Sequence, residues 1–317
     1  MEKKNWHFLE PGDIVDIVAP SSTIPTKEYK EYYIRIKETL AEIGLIARIP
    51  DDLIVLGRDP FSANSLEYRK NHLIDALTNK QSKAVWCIRG GYGAAKLIPY
   101  LDKLDIPETP KILLGFSDIT ALHLFLQNKW NWCSMHSAVI NQSLNNPIFI
   151  KELKPILFGE ESHISYNQLT PMNKAAAESS NIINAEITGG NLSLVQTSLA
   201  TNWQIQSKDK IIFLEDVDER GYRVDRKLNH LLQAGIFEHA KAIIFGEFTP
   251  GFEADGSNLC DTAVNNFAES MNIPVLSLPI IGHNINQNSP LPLGMKATLK
   301  LGKSPTLNCI TGGIKIC

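Results

Sequence analysis

KILLGFSDIT, residues 111–120, carries an apolar strand-like run directly into a helix-like one, with Ser117 at the junction. A second apolar run, AVWCI at residues 84–88, also precedes a turn and a helix-like segment. Strands that alternate with helices of this length predict βαβ units and a parallel sheet covered on both faces. We therefore expect a Rossmann-like α/β fold for the first half of the chain.

The length and the sequence pattern together predict two domains. The chain has 317 residues, of which 44% are hydrophobic and 21% are charged, a composition typical of globular proteins. The alternating pattern loosens after about residue 141, where prolines and polar runs accumulate. We predict an α/β domain over residues 1–145, a connection over 146–182, and a smaller β-rich α+β domain over 183–317.

The charge balance argues against two classes of partner. Lys and Arg number 31 against 34 Asp and Glu, for a formal net charge of −3. Without a basic surplus, neither nucleic acid nor an anionic membrane is an expected partner. A peptide or another small molecule fits the composition better.

The cysteines and the hydrophobic runs predict a cytoplasmic protein. The five cysteines are scattered and form no C-x-x-C pair, which argues against a disulfide framework and a zinc site. The apolar run near the N-terminus, residues 14–19, is shorter than the roughly 7–15 apolar residues of a secretory signal. No run approaches the length of a membrane span.

Ser117 has the position of a nucleophile at the carboxyl edge of a parallel sheet. The backbone N–H of Asp118, at the start of the following helix, is placed to donate to a developing oxyanion. The arrangement resembles the G-x-S-x-G nucleophile elbow, although Ile119 stands where the last glycine is usual. A plain helix cap by Ser117 or Asp118 explains the same residues.

RGGYG, residues 89–93, is a second candidate element of the same edge. Its glycines let the backbone approach another group closely, and the N–H of Gly91 is a candidate second oxyanion donor. The segment matches neither of the common glycine-rich phosphate-binding patterns. An ordinary tight turn between strand and helix is the alternative.

His283 and Glu215 are the candidate base and its orienting acid. A serine nucleophile needs a base that is itself held in place. Among eight histidines, His283 follows an apolar run and begins a polar loop, where a positioned base is expected. Glu215 ends the apolar run 211–214, beside a charged loop that equally fits a solvated network of ion pairs. No metal-binding pattern is present, so we expect neither a metal nor a cofactor.

Seven ordered motifs together resemble the LD-carboxypeptidase family of serine peptidases. They are GD at 12–13 with APSS at 19–22, RGGYG at 89–93, GFSD at 115–118, GGNLSL at 189–194, FLEDV at 213–217, YRVDR at 222–226 and GH at 282–283. The resemblance extends from about residue 12 to about residue 300.

The resemblance implies a Ser-Glu-His triad of Ser117, Glu215 and His283, with the amides of Gly91 and Asp118 as the oxyanion hole. It further implies a homodimer that removes the terminal D-alanine, at an L,D bond, from a tetrapeptide of recycled peptidoglycan. A second branch of the family resembles microcin-immunity peptidases, which cleave aminoacyl-nucleotide antibiotics. A catalytically silent binding module is the alternative of another class.

Two features bear on the substrate. Arg89 and the amide-rich helix start at Asn191 are candidates for binding the free carboxylate of a peptide. The sequence also departs from the family: it reads His136-Ser137-Ala138 where members often carry His-Gly-Pro. This departure concerns the shape of the pocket near His136 and not the predicted triad.

Overall fold

A computed structural model describes residues 5–25 and 28–313 of the chain. These residues divide into two units, of which one comprises the described residues up to 162 together with 312 and 313, and the other comprises 163–311. The change of unit lies inside the segment 146–182 that the sequence pattern assigned to a connection.

The first unit is built from strands and helices that alternate. Its strands are β1 (Ile14–Val18), β2 (Ile46–Arg48), β3 (Ser82–Cys87), β4 (Ile112–Gly115) and β5 (Ser134–His136). Its helices are α1 (Tyr29–Glu42), α2 (Leu66–Thr78), α3 (Ile98–Leu101), α4 (Thr120–Phe125), α5 (Ile140–Asn145) and α6 (Ile148–Leu157). Short 3₁₀ turns precede α3 and α4, at Ala94–Leu97 and Ser117–Ile119, and a π-helical turn, Leu126–Trp130, follows α4.

These strands lie in the order β5-β4-β3-β1-β2, and every neighbouring pair is parallel. The parallel-sheet fold predicted for the first half is therefore confirmed. The order reverses between β1 and β3, and ligands of open α/β sheets bind beyond the carboxyl ends of strands at such a point. The loop after β1, the loop after β3 and the turn after β4 all follow these carboxyl ends.

Burial accounts for the predicted strand β4 and the helix α4 that follows it, whereas glycine backbone conformation shortens another predicted helix. β4 is buried along its whole length, and so is every residue of α4. The helix predicted over residues 92–101 instead begins as the 3₁₀ turn at Ala94. Gly91 and Gly93 have φ angles of +107° and +125°, so the chain cannot enter a right-handed helix before that point.

The second unit combines a larger sheet with four helices. Its strands are β6 (His163–Tyr166), β7 (Thr170–Pro171), β8 (Ile182–Asn191), β9 (Ile211–Arg220), β10 (Ala242–Gly251), β11 (Val275–Ser277), β12 (Leu291–Leu293), β13 (Lys296–Lys300) and β14 (Thr306–Ile310). Its helices are α7 (Lys174–Ala177), α8 (Leu192–Thr197), α9 (Gly221–Gln233) and α10 (Cys260–Ser270).

Eight of these strands form one mixed sheet in the order β6-β14-β13-β8-β9-β10-β11-β7. The four strands β8 to β11 pair in parallel, whereas the flanking pairs are antiparallel. The sequence predicts a smaller, β-rich α+β domain for the second half, and the structure confirms a second sheet combined with helices there. The strand predicted over residues 274–281 is limited to β11, and α10 was not predicted.

None of the helices in the described ranges is both long enough and apolar enough to cross a bilayer.

A buried charge network ties together the strands of the first unit. Asp16, on β1, is completely buried. Its carboxylate accepts hydrogen bonds from the Arg48 guanidinium at 2.5 and 2.8 Å, from Ser82 Oγ at 2.6 Å and from Asn79 Nδ2 at 3.0 Å. The Lys111 ammonium, also buried, donates to Ser82 Oγ at 2.7 Å. One carboxylate therefore links β1 directly to β2 and β3.

Replacing Asp16 should destabilise the fold much more than replacing an exposed carboxylate of the same network. Asp16→Ala leaves the buried Lys111 without its compensating charge, and we expect a loss of about 3 kcal/mol in the free energy of unfolding. Asp75, whose side chain is 63% exposed and lies 3.4 Å from Arg48, supplies the control. We expect Asp75→Ala to change stability by less than about 0.5 kcal/mol in urea titrations. Equal losses would contradict this account.

Candidate active site

Ser117 begins the 3₁₀ turn that follows β4 and adopts a left-handed backbone conformation, with φ of +63°. A residue with a Cβ in this region carries roughly 1–3 kcal/mol of strain. Its side chain is partly buried. A strained serine between a buried strand and a helix is the geometry of a nucleophile elbow.

The glycine-rich segment 89–93 runs directly beside Ser117. A Cβ built on Gly90 would lie 3.0 Å from Ser117 Cβ and 3.2 Å from its Oγ, so a side chain at Gly90 would crowd the hydroxyl. A Cβ on Gly91 would lie 2.5 Å from Ser22 Oγ. Among the residues that the structure describes, the Gly91 N–H has no hydrogen-bond acceptor. This amide is available to a ligand close to Ser117.

Asp118 does not cap the following helix, which was one explanation of the sequence. Neither the 3₁₀ turn at Ser117 nor α4 has a side-chain cap. The Asp118 carboxylate is instead 97% buried and accepts hydrogen bonds from Ser21 Oγ at 2.5 Å and from the Ala94 N–H at 2.8 Å. Burial raises the pKa of Asp118, although these two hydrogen bonds and the charge of Arg69 oppose the increase.

His123 supports the end of β4 from inside α4. Its Nε2 lies 2.9 Å from the Gly115 carbonyl oxygen, and its Nδ1 lies 2.8 Å from Ser134 Oγ. Complete burial lowers the pKa of His123 to about 4, so the ring is neutral near pH 7. A neutral imidazole that donates to Gly115 fixes the strand end just before Ser117.

Glu215 and His283 lie together in the second unit. Glu215 is completely buried on β9, and its Oε2 lies 2.7 Å from His283 Nδ1. The His283 side chain keeps 15% of its surface exposed. Because an ionised carboxylate only accepts hydrogen bonds, Nδ1 is the donor, and in the neutral ring Nε2 carries the lone pair. The neutral ring therefore has a defined tautomer, in which Nε2 is the atom that can accept a proton.

The surroundings of His283 favour its protonated form. Burial acts to lower the pKa of His283, but the charge of Glu215, the hydrogen bond to it, and the charges of Asp216 and Glu247 together raise it above 6.5. The backbone before His283 packs closely against Glu247. Only a glycine fits at position 282, because a Cβ there would lie 2.6 Å from Glu247 Cβ.

The two predicted substrate contacts have structural partners of their own. Arg89 is partly buried, and its Nη1 donates to the Thr23 carbonyl oxygen. Asn191 lies opposite Glu215 across the β8–β9 pair. Its Oδ1 accepts from the Leu194 N–H at 3.2 Å, which caps α8, and its Nδ2 donates to Asp216 at 2.9 Å. A role for Arg89 or Asn191 in binding substrate stays a prediction.

Within residues 5–25 and 28–313, no group of three or more His, Cys, Asp or Glu side chains is arranged to hold a metal ion.

The backbone strain at Ser117 predicts a difference in stability between two variants that both lack the hydroxyl group. Ser117→Gly relieves the left-handed backbone, whereas Ser117→Ala keeps a Cβ in it, so the glycine variant should be about 1 kcal/mol more stable. Urea unfolding of the two purified variants measures the difference. An alanine variant as stable as the glycine variant would argue against a left-handed Ser117.

The charge of Glu215 and its hydrogen bond predict that the pKa of His283 is raised above the ordinary value of an imidazole. Since protonation is favoured in the folded state, the pair adds stability at low pH, and this contribution is lost as the pH rises through the folded-state pKa. Glu215→Gln removes the charge and should move the titration of His283 to lower pH, as followed by NMR of the imidazole ring. Glu238→Gln, at an exposed position, is the matched control and should leave it unchanged. An identical titration in Glu215→Gln would refute the pairing.

Both halves of the chain match domain models of one known family. The model of the LD-carboxypeptidase N-terminal domain matches residues 15–137, and the model of the C-terminal domain matches residues 184–299. A Rickettsia conorii protein named as a carboxypeptidase is 42% identical over 274 residues, which cover 85% of this chain and 84% of that protein. The murein tetrapeptide carboxypeptidase of Pseudomonas aeruginosa is 27% identical over 253 residues, covering 78% and 81%.

A solved structure shares the fold over nearly the whole length. The microcin C7 self-immunity protein superposes with a TM-score of 0.81 at 20% sequence identity, covering 96% of this chain and 98% of that one. At this identity the likeness concerns the fold alone. The matches of both family models, which lie over the elements that carry Ser117, Glu215 and His283, together with the 42% identical relative, show that the chain belongs to the LD-carboxypeptidase family of peptide hydrolases.

Proposed function

We propose that the protein is a serine L,D-carboxypeptidase that removes the terminal D-alanine from muropeptide tetrapeptides. The observation that carries the proposal is the left-handed turn at Ser117, which lies against Gly90, next in the chain to an amide, that of Gly91, with no acceptor among the described residues. The Glu215–His283 pair, with its 2.7 Å hydrogen bond, supplies the base that a serine nucleophile needs. The named murein tetrapeptide carboxypeptidase among the relatives supports the choice of substrate.

In the proposed reaction, Ser117 Oγ attacks the carbonyl carbon that precedes the terminal residue, and His283 Nε2 takes the hydroxyl proton. The amides of Gly91 and Asp118 hydrogen-bond to the oxyanion of the tetrahedral intermediate. His283 then gives the proton to the departing amine as the C–N bond breaks. Water hydrolyses the resulting ester, which releases the shortened peptide and restores Ser117.

Glu215 has two tasks in this proposal. Its carboxylate fixes the tautomer in which Nε2 can accept a proton, and its charge stabilises the imidazolium that forms. Among the described residues, Glu215 Oε1 is buried without a hydrogen-bond donor. The hydrogen bond from His283 to Oε2 is therefore the contact through which the charge of Glu215 stabilises the imidazolium. The raised pKa of His283 is consistent with this role.

The setting that we propose is peptidoglycan recycling in the cytoplasm by a homodimer. In the described residues Cys87, Cys133, Cys260 and Cys309 are buried and form no disulfide, which fits a reducing compartment; Cys317 lies outside the described residues. The homodimer rests on the family resemblance, and light scattering should give twice the chain mass of 35.3 kDa. A monomer mass would remove the homodimer from the proposal.

Mass spectrometry of products tests the proposed reaction. The wild type should release D-alanine from L-Ala-γ-D-Glu-meso-diaminopimelate-D-Ala, and Ser117→Ala should be slower by roughly 10⁴-fold or more. Ser165→Ala, at an exposed serine of β6, is the control and should match the wild type.

The outcomes separate the alternatives. No D-alanine release, with Ser117 still labelled by a serine-reactive phosphonate, would favour the aminoacyl-nucleotide substrates of the microcin-immunity branch. No release and no labelling would favour a catalytically silent binding module. Release by Ser117→Ala at the wild-type rate would contradict the assignment of the nucleophile.

A further inference from the structure

We propose that Asp118, through its carboxylate, and Arg69 are positioning residues for catalysis: together they hold the glycine-rich segment 89–93 in place beside Ser117. The inference rests on the proposed function, because it concerns the placement of the oxyanion amides. Neither the Asp118 nor the Arg69 side chain reacts with the substrate or transfers a proton in the proposed reaction. The roles of the Asp118 amide and of its carboxylate are separate and can be tested separately.

One oxygen of Asp118 joins three segments of the first unit. Asp118 directly follows Ser117, so its backbone belongs to the nucleophile turn. Its Oδ2 accepts the Ser21 hydroxyl at 2.5 Å and the Ala94 N–H at 2.8 Å. Ser21 is on the loop after β1, and Ala94 immediately follows the glycine-rich segment. The carboxylate therefore connects the turn to both neighbouring loops.

Arg69 crosslinks the same two loops from α2. Its side chain is 99% buried, and its Nη1 donates to the carbonyl oxygens of Pro20 at 2.6 Å and Gly93 at 3.2 Å. Its Nε donates to the Asn64 carbonyl at 3.1 Å. Only a planar guanidinium supplies several donors in this fixed geometry, which a lysine ammonium cannot reproduce.

The loops are further tied to each other near the oxyanion amides. The Ser22 N–H donates to the Gly90 carbonyl at 3.2 Å, and the Tyr92 N–H donates to Ser22 Oγ at 3.1 Å. Gly91 lies between these two attachment points, and its own N–H has no acceptor within residues 5–25 and 28–313. The backbone around Gly91 is thus held on both sides.

Electrostatics explains why this arrangement uses charged groups. Burial acts against the charge of both residues, raising the pKa of Asp118 and lowering that of Arg69, and each opposes the effect at the other. Asp59, 3.9 Å from Arg69 Nη2, adds to the compensation. Hydrogen bonds to charged groups are shorter and stronger than neutral ones, so they restrict the loops more tightly. Precise placement matters because an error of about 1 Å can lower a catalytic rate by roughly 100-fold.

The experiment compares Asp118→Asn with the wild type on the tetrapeptide substrate. The variant keeps the backbone amide and the size of the side chain but loses the charge. We expect kcat to fall by about 10- to 100-fold, KM to stay within about twofold, and a phosphonate to label nearly one serine per chain at the end point. A peptide boronate, which mimics the tetrahedral intermediate, should bind more weakly by the same factor as kcat/KM falls.

A second variant and a matched control keep the test independent of folding. Ser21→Ala removes one donor to Asp118 and should lower kcat in the same direction. Combined with Asp118→Asn, it should give less than the product of the two effects, since both variants weaken the same Ser21–Asp118 hydrogen bond. Asp16→Asn alters an equally buried carboxylate of the same unit and should lower stability while leaving kcat per labelled serine unchanged.

The inference and the proposed function fail in different ways. An active wild type, with Asp118→Asn and Ser21→Ala turning over at the wild-type rate per labelled serine, would overturn the inference alone. If Asp118→Asn does not fold, an unchanged kcat in Ser21→Ala overturns it by itself. A wild type that neither releases D-alanine nor is labelled at Ser117 would overturn the proposed function and the inference with it.

Discussion

The left-handed backbone of Ser117 is the constraint on which the site in the first unit depends. A single non-glycine residue with φ of +63° persists only where its surroundings hold it. The buried strand β4 fixes the chain before it, and His123 secures the Gly115 carbonyl at the end of that strand. The buried carboxylate of Asp118 fixes the chain after it. The strain is therefore balanced by contacts on both sides.

Two buried carboxylates of this protein differ in function because their hydrogen-bond partners differ. Asp118 accepts its hydrogen bonds from a serine hydroxyl and a backbone amide, so it acts on the shape of the loops. Glu215 is hydrogen-bonded to the titratable ring of His283, so it affects the protonation of that ring. The pKa of His283 is raised by this contact, whereas His123, buried without a carboxylate beside it, has its pKa lowered to about 4. The nearby charge, more than burial itself, separates a candidate base from a structural histidine.

The sequence was most informative where a short stretch determines its own structure. The apolar residues 112–114 followed by Ser117 predict a strand, a sharp turn and a helix, and the structure has each of them. The two residues of the Glu215–His283 pair were also singled out, since each follows an apolar run at a place where a polar side chain is expected. The family motifs then linked positions that local patterns cannot connect.

Contacts between distant parts of the chain could not be predicted from local sequence patterns. Arg69 has the sequence of an ordinary helical arginine, and its bond to Pro20 spans 49 residues. The Ser21–Asp118 bond spans 97 residues, and no periodicity encodes either. In the second unit β9 continues to Arg220 because its polar residues pair with β10. Pairing with a neighbouring strand, and not local hydrophobicity, sets that boundary.

A crystal structure of the enzyme treated with a peptidyl phosphonate tests the central claim most directly. The account predicts a covalent bond from phosphorus to Ser117 Oγ, an unchanged left-handed Ser117, and one phosphonate oxygen about 2.7–3.1 Å from the amide nitrogens of both Gly91 and Asp118. A phosphonate attached to another residue, or an oxygen bound to neither amide, would contradict it.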